Sequence, residues 1–187
     1  MSRRNVVRPH FFVLVFCLGL TLLSATSYAD IRLPAVIGDN MVLQGGDRAA
    51  LWGWADPNEQ INVSVSWHKM AWTVQADNAG RWMFRITTPE VGGPYEMTLK
   101  GKNAVTVKNI LVGEVWVGSG QSNMQWSVRQ SADAEQEIAA ARYPKLRLFA
   151  VERTVAEAPQ ADCKGKWVEC SPQTVGDFSA VAYYFGR

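Results

Sequence analysis

Between residues 61 and 99, hydrophobic and polar positions alternate with a period of two. Ile61, Val63, Val65 and Trp67 fall on one side of the chain, and Asn62, Ser64 and Ser66 on the other. The pattern recurs at Met70, Trp72 and Val74, at Trp82, Phe84 and Ile86, and at Tyr95, Met97 and Leu99. Successive side chains of a strand point to opposite faces, so each segment has one face for burial and one for water. Antiparallel sheets read this way. Asp56-Pro57-Asn58-Glu59, Asp77-Asn78-Ala79-Gly80, Gly92-Gly93-Pro94 and Gly101-Lys102-Asn103 separate the segments with turn-forming residues. The expectation for residues 30–109 is an all-β sandwich or jelly-roll-like module.

From residue 110 the pattern changes. Ile110-Leu111-Val112 and Val115-Trp116-Val117 are apolar without alternation, which suits a strand buried on both faces. That run stops at Gly118-Ser119-Gly120. The alanines and glutamates of residues 132–142 predict a helix ended by Tyr143-Pro144. Residues 145–153 predict another strand, and a final helix runs through Ala180, Tyr183 and Tyr184, with Thr174 or Asp177 as its cap. A β-helix-β order matches the opening of a doubly wound α/β fold, whose sites gather at strand carboxyl ends. Two candidate strands cannot cover both faces of a parallel sheet, and the apolar periodicity is still running at Arg187. Residues 110–187 are therefore expected to be the first, incomplete part of an α/β domain.

The amino terminus changes the reading of charge and compartment. Arg3, Arg4 and Arg8 precede an apolar run over residues 11–23, which gives way to Ser27-Tyr28-Ala29. This is the pattern of a secretory signal peptide over residues 1–29, too short to span a membrane comfortably and cleaved after Ala29. The expected location is periplasmic or extracellular, with no membrane span left after cleavage. The whole chain has 19 Lys and Arg against 17 Asp and Glu. Removing residues 1–29 takes three arginines and no acid, so 16 − 17 leaves −1. A chain of that charge, without a basic stripe, is not expected to bind nucleic acid.

Cys17 leaves with the signal peptide. Cys163 and Cys170 remain, and an oxidising compartment permits them to pair or to stay reduced. No metal site is expected, because two cysteines and the distant His68 do not form a structural zinc spacing. Trp52, Trp54, Trp67, Trp72 and Trp82 are rich enough to stack on sugars, but the alternation assigns Trp67, Trp72 and Trp82 to the core. His68 reads as a loop residue.

The chemistry concentrates where the second apolar run ends, at Gly120-Gln121-Ser122-Asn123-Met124. A serine on a strand-to-helix turn is presented in the open, beside backbone N–H groups that the helix leaves unpaired. Ser122 is therefore the candidate nucleophile, and helix capping is the competing role for it. Met124 stands where a G-x-S-x-G elbow has its second glycine. No Gly-Lys-Ser/Thr follows to make a phosphate loop.

This pentapeptide resembles the nucleophile block of the SGNH (GDSL-like) esterases and, within them, that of the sialate O-acetylesterases. Three other stretches carry the closer resemblance. They are the twelve residues from Leu33 to Gln44, Trp52-Gly53-Trp54-Ala55, and Cys170-Ser171-Pro172 leading to Phe178 through Arg187. The resemblance implies a three-layer SGNH-type α/β domain starting near residue 110. It implies that Ser122 is catalytic, that its backbone N–H is one oxyanion donor, and that no metal or organic cofactor is required. Such enzymes carry their other donors, a glycine and an asparagine, and their aspartate and histidine bases further downstream, and no positions here match them. Asp133, Asp162 and Asp177 read as caps or surface charges. The expectation is a carbohydrate O-acetylesterase acting on an O-acetylated sugar, with sialic acid as the sugar, whose catalytic domain continues past this chain and without which the chain is inactive. The alternative is an exported β-rich carbohydrate-binding or scaffold protein without turnover.

Overall fold

A computed structural model describes residues 30–187, so the expected signal peptide lies outside the described residues. Among these residues the strands are β1 (Val42–Gln44), β2 (Arg48–Trp54), β3 (Gln60–Val65), β4 (Trp72–Gln75), β5 (Arg81–Thr87), β6 (Gly92–Lys100), β7 (Ala104–Gly113), β8 (Tyr143–Phe149) and β9 (Trp167–Cys170). The helices are α1 (Ser122–Gln125), α2 (Ala134–Ala140) and α3 (Ala180–Gly186), with a 3-10 turn at Val128–Gln130. The structure is thus mostly β, with few and short helices.

The period-two segments become strands in the expected sense. In β3, Ile61, Val63 and Val65 are buried while Gln60, Asn62 and Ser64 are exposed. In β5, Trp82 and Ile86 are buried, and in β6, Met97 and Leu99. Full burial of each aliphatic side chain stabilises by about 1.5–3 kcal/mol, which is why one face of the pleat is fixed. Five strands form one sheet in the order β1-β7-β6-β3-β4, and β2 pairs with β5 in a separate ribbon. The larger sheet curls as a half-barrel. Both sheets contribute to one core, with Leu51 and Ile86 from the ribbon and Ile61, Leu99 and Ile110 from the sheet.

Three features of this module depart from the expectation. β1 runs parallel to β7, pairing Val42 with Leu111 and Gln44 with Gly113, so the sheet is not wholly antiparallel. Gly92-Gly93-Pro94 lies inside β6 rather than in a turn, at a register shift between Gly92 and Tyr95. Pro94, lacking an N–H, is tolerated there because a bulge leaves a residue unpaired. Met70 lies outside β4 and is exposed, unlike Trp72 and Val74.

The second region also differs from the expectation. Val115-Trp116-Val117 is not a strand; Trp116 is 70% exposed and Val117 91%. The helix ends before Tyr143-Pro144 as expected, but the strand after it, β8, already opens at those two residues, stops at Phe149 and pairs antiparallel with β9. No parallel strand pair occurs in this region among the described residues. α3 is capped by Ser179, whose hydroxyl accepts from the Ala182 N–H at 3.3 Å, and not by Thr174 or Asp177. α2 does form where predicted, within 132–142. A separate small core joins Val128, Ala141, Leu148, Val175 and Tyr183.

A part-buried polar ring joins the two cores. Arg147 of β8 has a side chain only 3% exposed. Its Nη1 donates to Asn40 Oδ1, its Nη2 to Asn109 Oδ1, both at 3.2 Å, and its Nε to the Pro144 carbonyl at 2.9 Å. Asn109 Nδ2 donates to Asn40 Oδ1 and Glu169 Oε1, which closes the ring. Both asparagines have left-handed backbones, with φ of 66° and 56°, a conformation that asparagine tolerates better than most residues. Burial pulls the Arg147 pKa down while Glu169 opposes the shift. The guanidinium stays charged, as arginines do in proteins.

Candidate active site

The route to Ser122 is set by β7 and by one side chain of β1. β7 ends at Gly113, and residues 114–120 have no regular structure. Gln44, paired with Gly113 in the parallel register, grips this exit through its amide. Its Oε1 accepts the Val115 N–H at 2.9 Å and its Nε2 donates to Glu114 Oε2 at 3.1 Å. Thr88 Oγ1 donates to the Gln44 carbonyl at 2.7 Å and ties that residue to the β-rich core.

The glycines before the serine pack against Met124. A Cβ at Gly120 would lie 2.8 Å from Met124 Cγ, and one at Gly118 would lie 3.0 Å from Met124 Cε. Met124 folds back over the loop against both glycines, most tightly at Gly120. α1 rests against α3 beside it, where Trp116 meets Phe185 edge-on at 5.2 Å between ring centroids.

Ser122 is the first residue of α1 and is exposed. Gln121 occupies the capping position, and no side chain makes a capping hydrogen bond there. Ser122 Oγ has no hydrogen-bond partner among the described residues. The capping role weighed against catalysis is not the one this hydroxyl performs.

The other candidate groups have local occupations. His68 lies beyond β3, where its ring packs 5.0 Å from Trp72 and its Nδ1 accepts the Met70 N–H. Asp133 stands before α2 with φ of 53° and no side-chain cap bond. Asp177 pairs with Arg129. Asp162 accepts from Arg32 and from the N–H groups of Ala35 and Cys163. Cys163 and Cys170 are both free, and burial raises the pKa of each. Arg32 covers one face of Trp54 at 3.8 Å, so that ring is not a bare stacking platform, and Trp52 Nε1 donates to the Ala161 carbonyl. Trp126, half-exposed, donates to the Gln130 carbonyl. No cluster of metal-ligating side chains occurs among the described residues. No helix among them is long and apolar enough to cross a membrane.

Sequence reasoning missed Gln44, Arg147 and Arg153. Gln44 ends one of the resembling stretches, but nothing local marks its grip on residues 114–115. Arg153 Nη1 donates to Gln125 Oε1 of α1 at 2.6 Å across 28 residues of chain, a contact without a short-range signal.

No family model matches the chain. It is 31% identical to the sialate O-acetylesterase of Rattus norvegicus, over 97% of this chain and 37% of that protein. It is also 31% identical to the Homo sapiens sialate O-acetylesterase, over 83% of this chain and 34% of that protein. A carbohydrate acetylesterase structure from Xanthomonas citri superposes with a TM-score of 0.79 at 37% identity, covering 83% of this chain and 36% of that one. The chain thus spans a little over a third of the length of these relatives. With the motif stretches and the fold in agreement, the chain belongs to the sialate O-acetylesterase family of carbohydrate esterases.

Proposed function

We propose that this chain is the nucleophile-bearing part of an exported carbohydrate O-acetylesterase, acting on O-acetylated sialic acid through Ser122. The observation that carries the reading is the exposed Ser122 hydroxyl at the head of α1, uncommitted to any hydrogen bond among the described residues and preceded by two glycines packed against Met124. Sialate O-acetylesterase relatives and a carbohydrate acetylesterase structural neighbour support it.

In this scheme Ser122 Oγ attacks the acetyl carbonyl carbon while a base takes its proton. Negative charge develops on the carbonyl oxygen, and the Ser122 backbone N–H is one donor to it. The intermediate collapses with cleavage of the C–O bond to the sugar, whose oxygen takes up the proton. Water then hydrolyses the acetyl-enzyme to acetate and free serine. His68, tied to Met70 and Trp72 beyond β3, is not the base. The proposal assigns the base, its aspartate and the remaining oxyanion donors to the downstream part of an SGNH-type α/β domain, as the motif resemblance implies. No step in this scheme calls on a metal or organic cofactor.

The test is a serine-directed fluorophosphonate, applied to residues 30–187 and to the full-length protein, with the adduct mapped by mass spectrometry. Labelling of Ser122 in the full-length protein alone is the expected result. Absence of labelling in both favours a carbohydrate-binding or scaffold role.

A further inference from the structure

Five of the nine arginines among the described residues pair with acids. Arg32 pairs with Asp162, Arg81 with Asp77, Arg129 with Asp177, Arg147 with Glu169 and Arg187 with Glu137. Arg153 does not. Among the described residues no carboxylate lies within ion-pair distance of it, and its side-chain bond goes to the neutral amide of Gln125.

Its position matters more than its exposure. Ser122 and Gln125 are three residues apart in α1, a spacing that puts their side chains side by side on one helix surface, with Cβ atoms roughly 5–6 Å apart. A guanidinium 2.6 Å from Gln125 Oε1 is therefore held on the flank where Ser122 stands. The segment that carries it is anchored. Glu152 N–H donates to the Lys164 carbonyl at 2.8 Å, and the two side chains form an ion pair at 3.7 Å. Asp162 fastens the returning limb to Arg32 and Ala35. A guanidinium offers five N–H donors in a fork that fits a carboxylate in two parallel hydrogen bonds, and one of the five is used here.

We infer that Arg153 is the specificity-determining cation of this site, binding the carboxylate of an acidic acetylated sugar while Ser122 attacks its ester. The inference rests on the esterase reading of Ser122. It assigns to the loop over residues 151–162 the choice between sugar acids and neutral sugars. Arg153 is not a catalytic residue, since its contact is with a part of the substrate that does not react.

The experiment compares the full-length wild-type protein with R153Q and R153K on two esters, an O-acetylated N-acetylneuraminic acid and a neutral acetylated monosaccharide. The readout is the ratio of kcat/KM for the acidic ester to that for the neutral one. R153Q is expected to lower this ratio at least tenfold, chiefly through KM for the acidic ester. R153K, which keeps the charge but loses the fork, is expected to fall in between. A ratio unchanged in R153Q, whatever happens to the absolute rates, overturns the assignment, as does a wild type that hydrolyses only the neutral ester. A wild type that hydrolyses neither ester overturns the esterase reading itself and the assignment with it.

Discussion

Arg147 and Asn40, 107 residues apart in the chain, meet across the two hydrophobic cores with the guanidinium Nη1 donating to the amide Oδ1 at 3.2 Å. The same guanidinium reaches Asn109 and lies 3.4 Å from Glu169. Removing Arg147 takes the donor from the part-buried Asn109 Oδ1 and the partner from Glu169, which costs more than the lost bond. R147M is expected to destabilise residues 30–187 by about 2–4 kcal/mol in urea denaturation. A loss below about 0.5 kcal/mol contradicts the joint described here.

Gly53 lies between Trp52 and Trp54 for want of space. A Cβ there would stand 2.4 Å from the Arg32 carbonyl oxygen and 2.7 Å from Trp82 Cζ2. Trp82 is almost fully buried, so neither neighbour yields cheaply. G53A is expected to cost about 1–3 kcal/mol in the same measurement. An unaffected midpoint contradicts the packing of Trp82.

Glu137 links α2 to α3. Its carboxylate accepts from the Tyr183 hydroxyl at 2.6 Å and from Arg187. The Tyr183 hydrogen bond, aided by Arg187, holds its pKa below the ordinary 4.5. Because the folded value is the lower one, the unfolded chain binds more protons in acid, and stability falls as pH falls. The contribution is present above pH 4.5 and disappears as pH drops through the lowered folded value. Tm of the wild type should exceed that of E137Q at pH 7, and the gap should close below pH 4.5. A gap independent of pH contradicts the linkage.

How far the sequence disclosed this structure depends on the range of the forces involved. β3 was legible because burial of Ile61, Val63 and Val65 against exposure of Asn62 and Ser64 is a property of the strand itself. Val115-Trp116-Val117 was not legible, since apolar character does not supply the neighbour that a strand must bond. Among the described residues the Val115 N–H finds a side chain, Gln44, rather than a ladder. Pro144 read as a helix breaker and the helix does stop before it; that it also lies inside β8 was not legible, because the register shift between Tyr143 and Arg147, where its missing N–H removes no ladder bond, depends on β9. The parallel pairing of β1 with β7 and the contacts of Arg147 and Arg153 join residues far apart in sequence, which no local pattern encodes. Ser122 was legible as a candidate because the glycines before it and the helix after it are local. Its base was not, since the single histidine among residues 30–187 is occupied elsewhere.

The most direct measurement is the steady-state rate of acetyl-ester hydrolysis by the full-length protein carrying S122A, beside wild type of equal thermal stability. Losing the nucleophile removes the acetyl-enzyme route, so kcat is expected to fall by roughly 10³-fold or more with Tm unchanged. Turnover within a few-fold of wild type in a folded S122A protein would contradict the account.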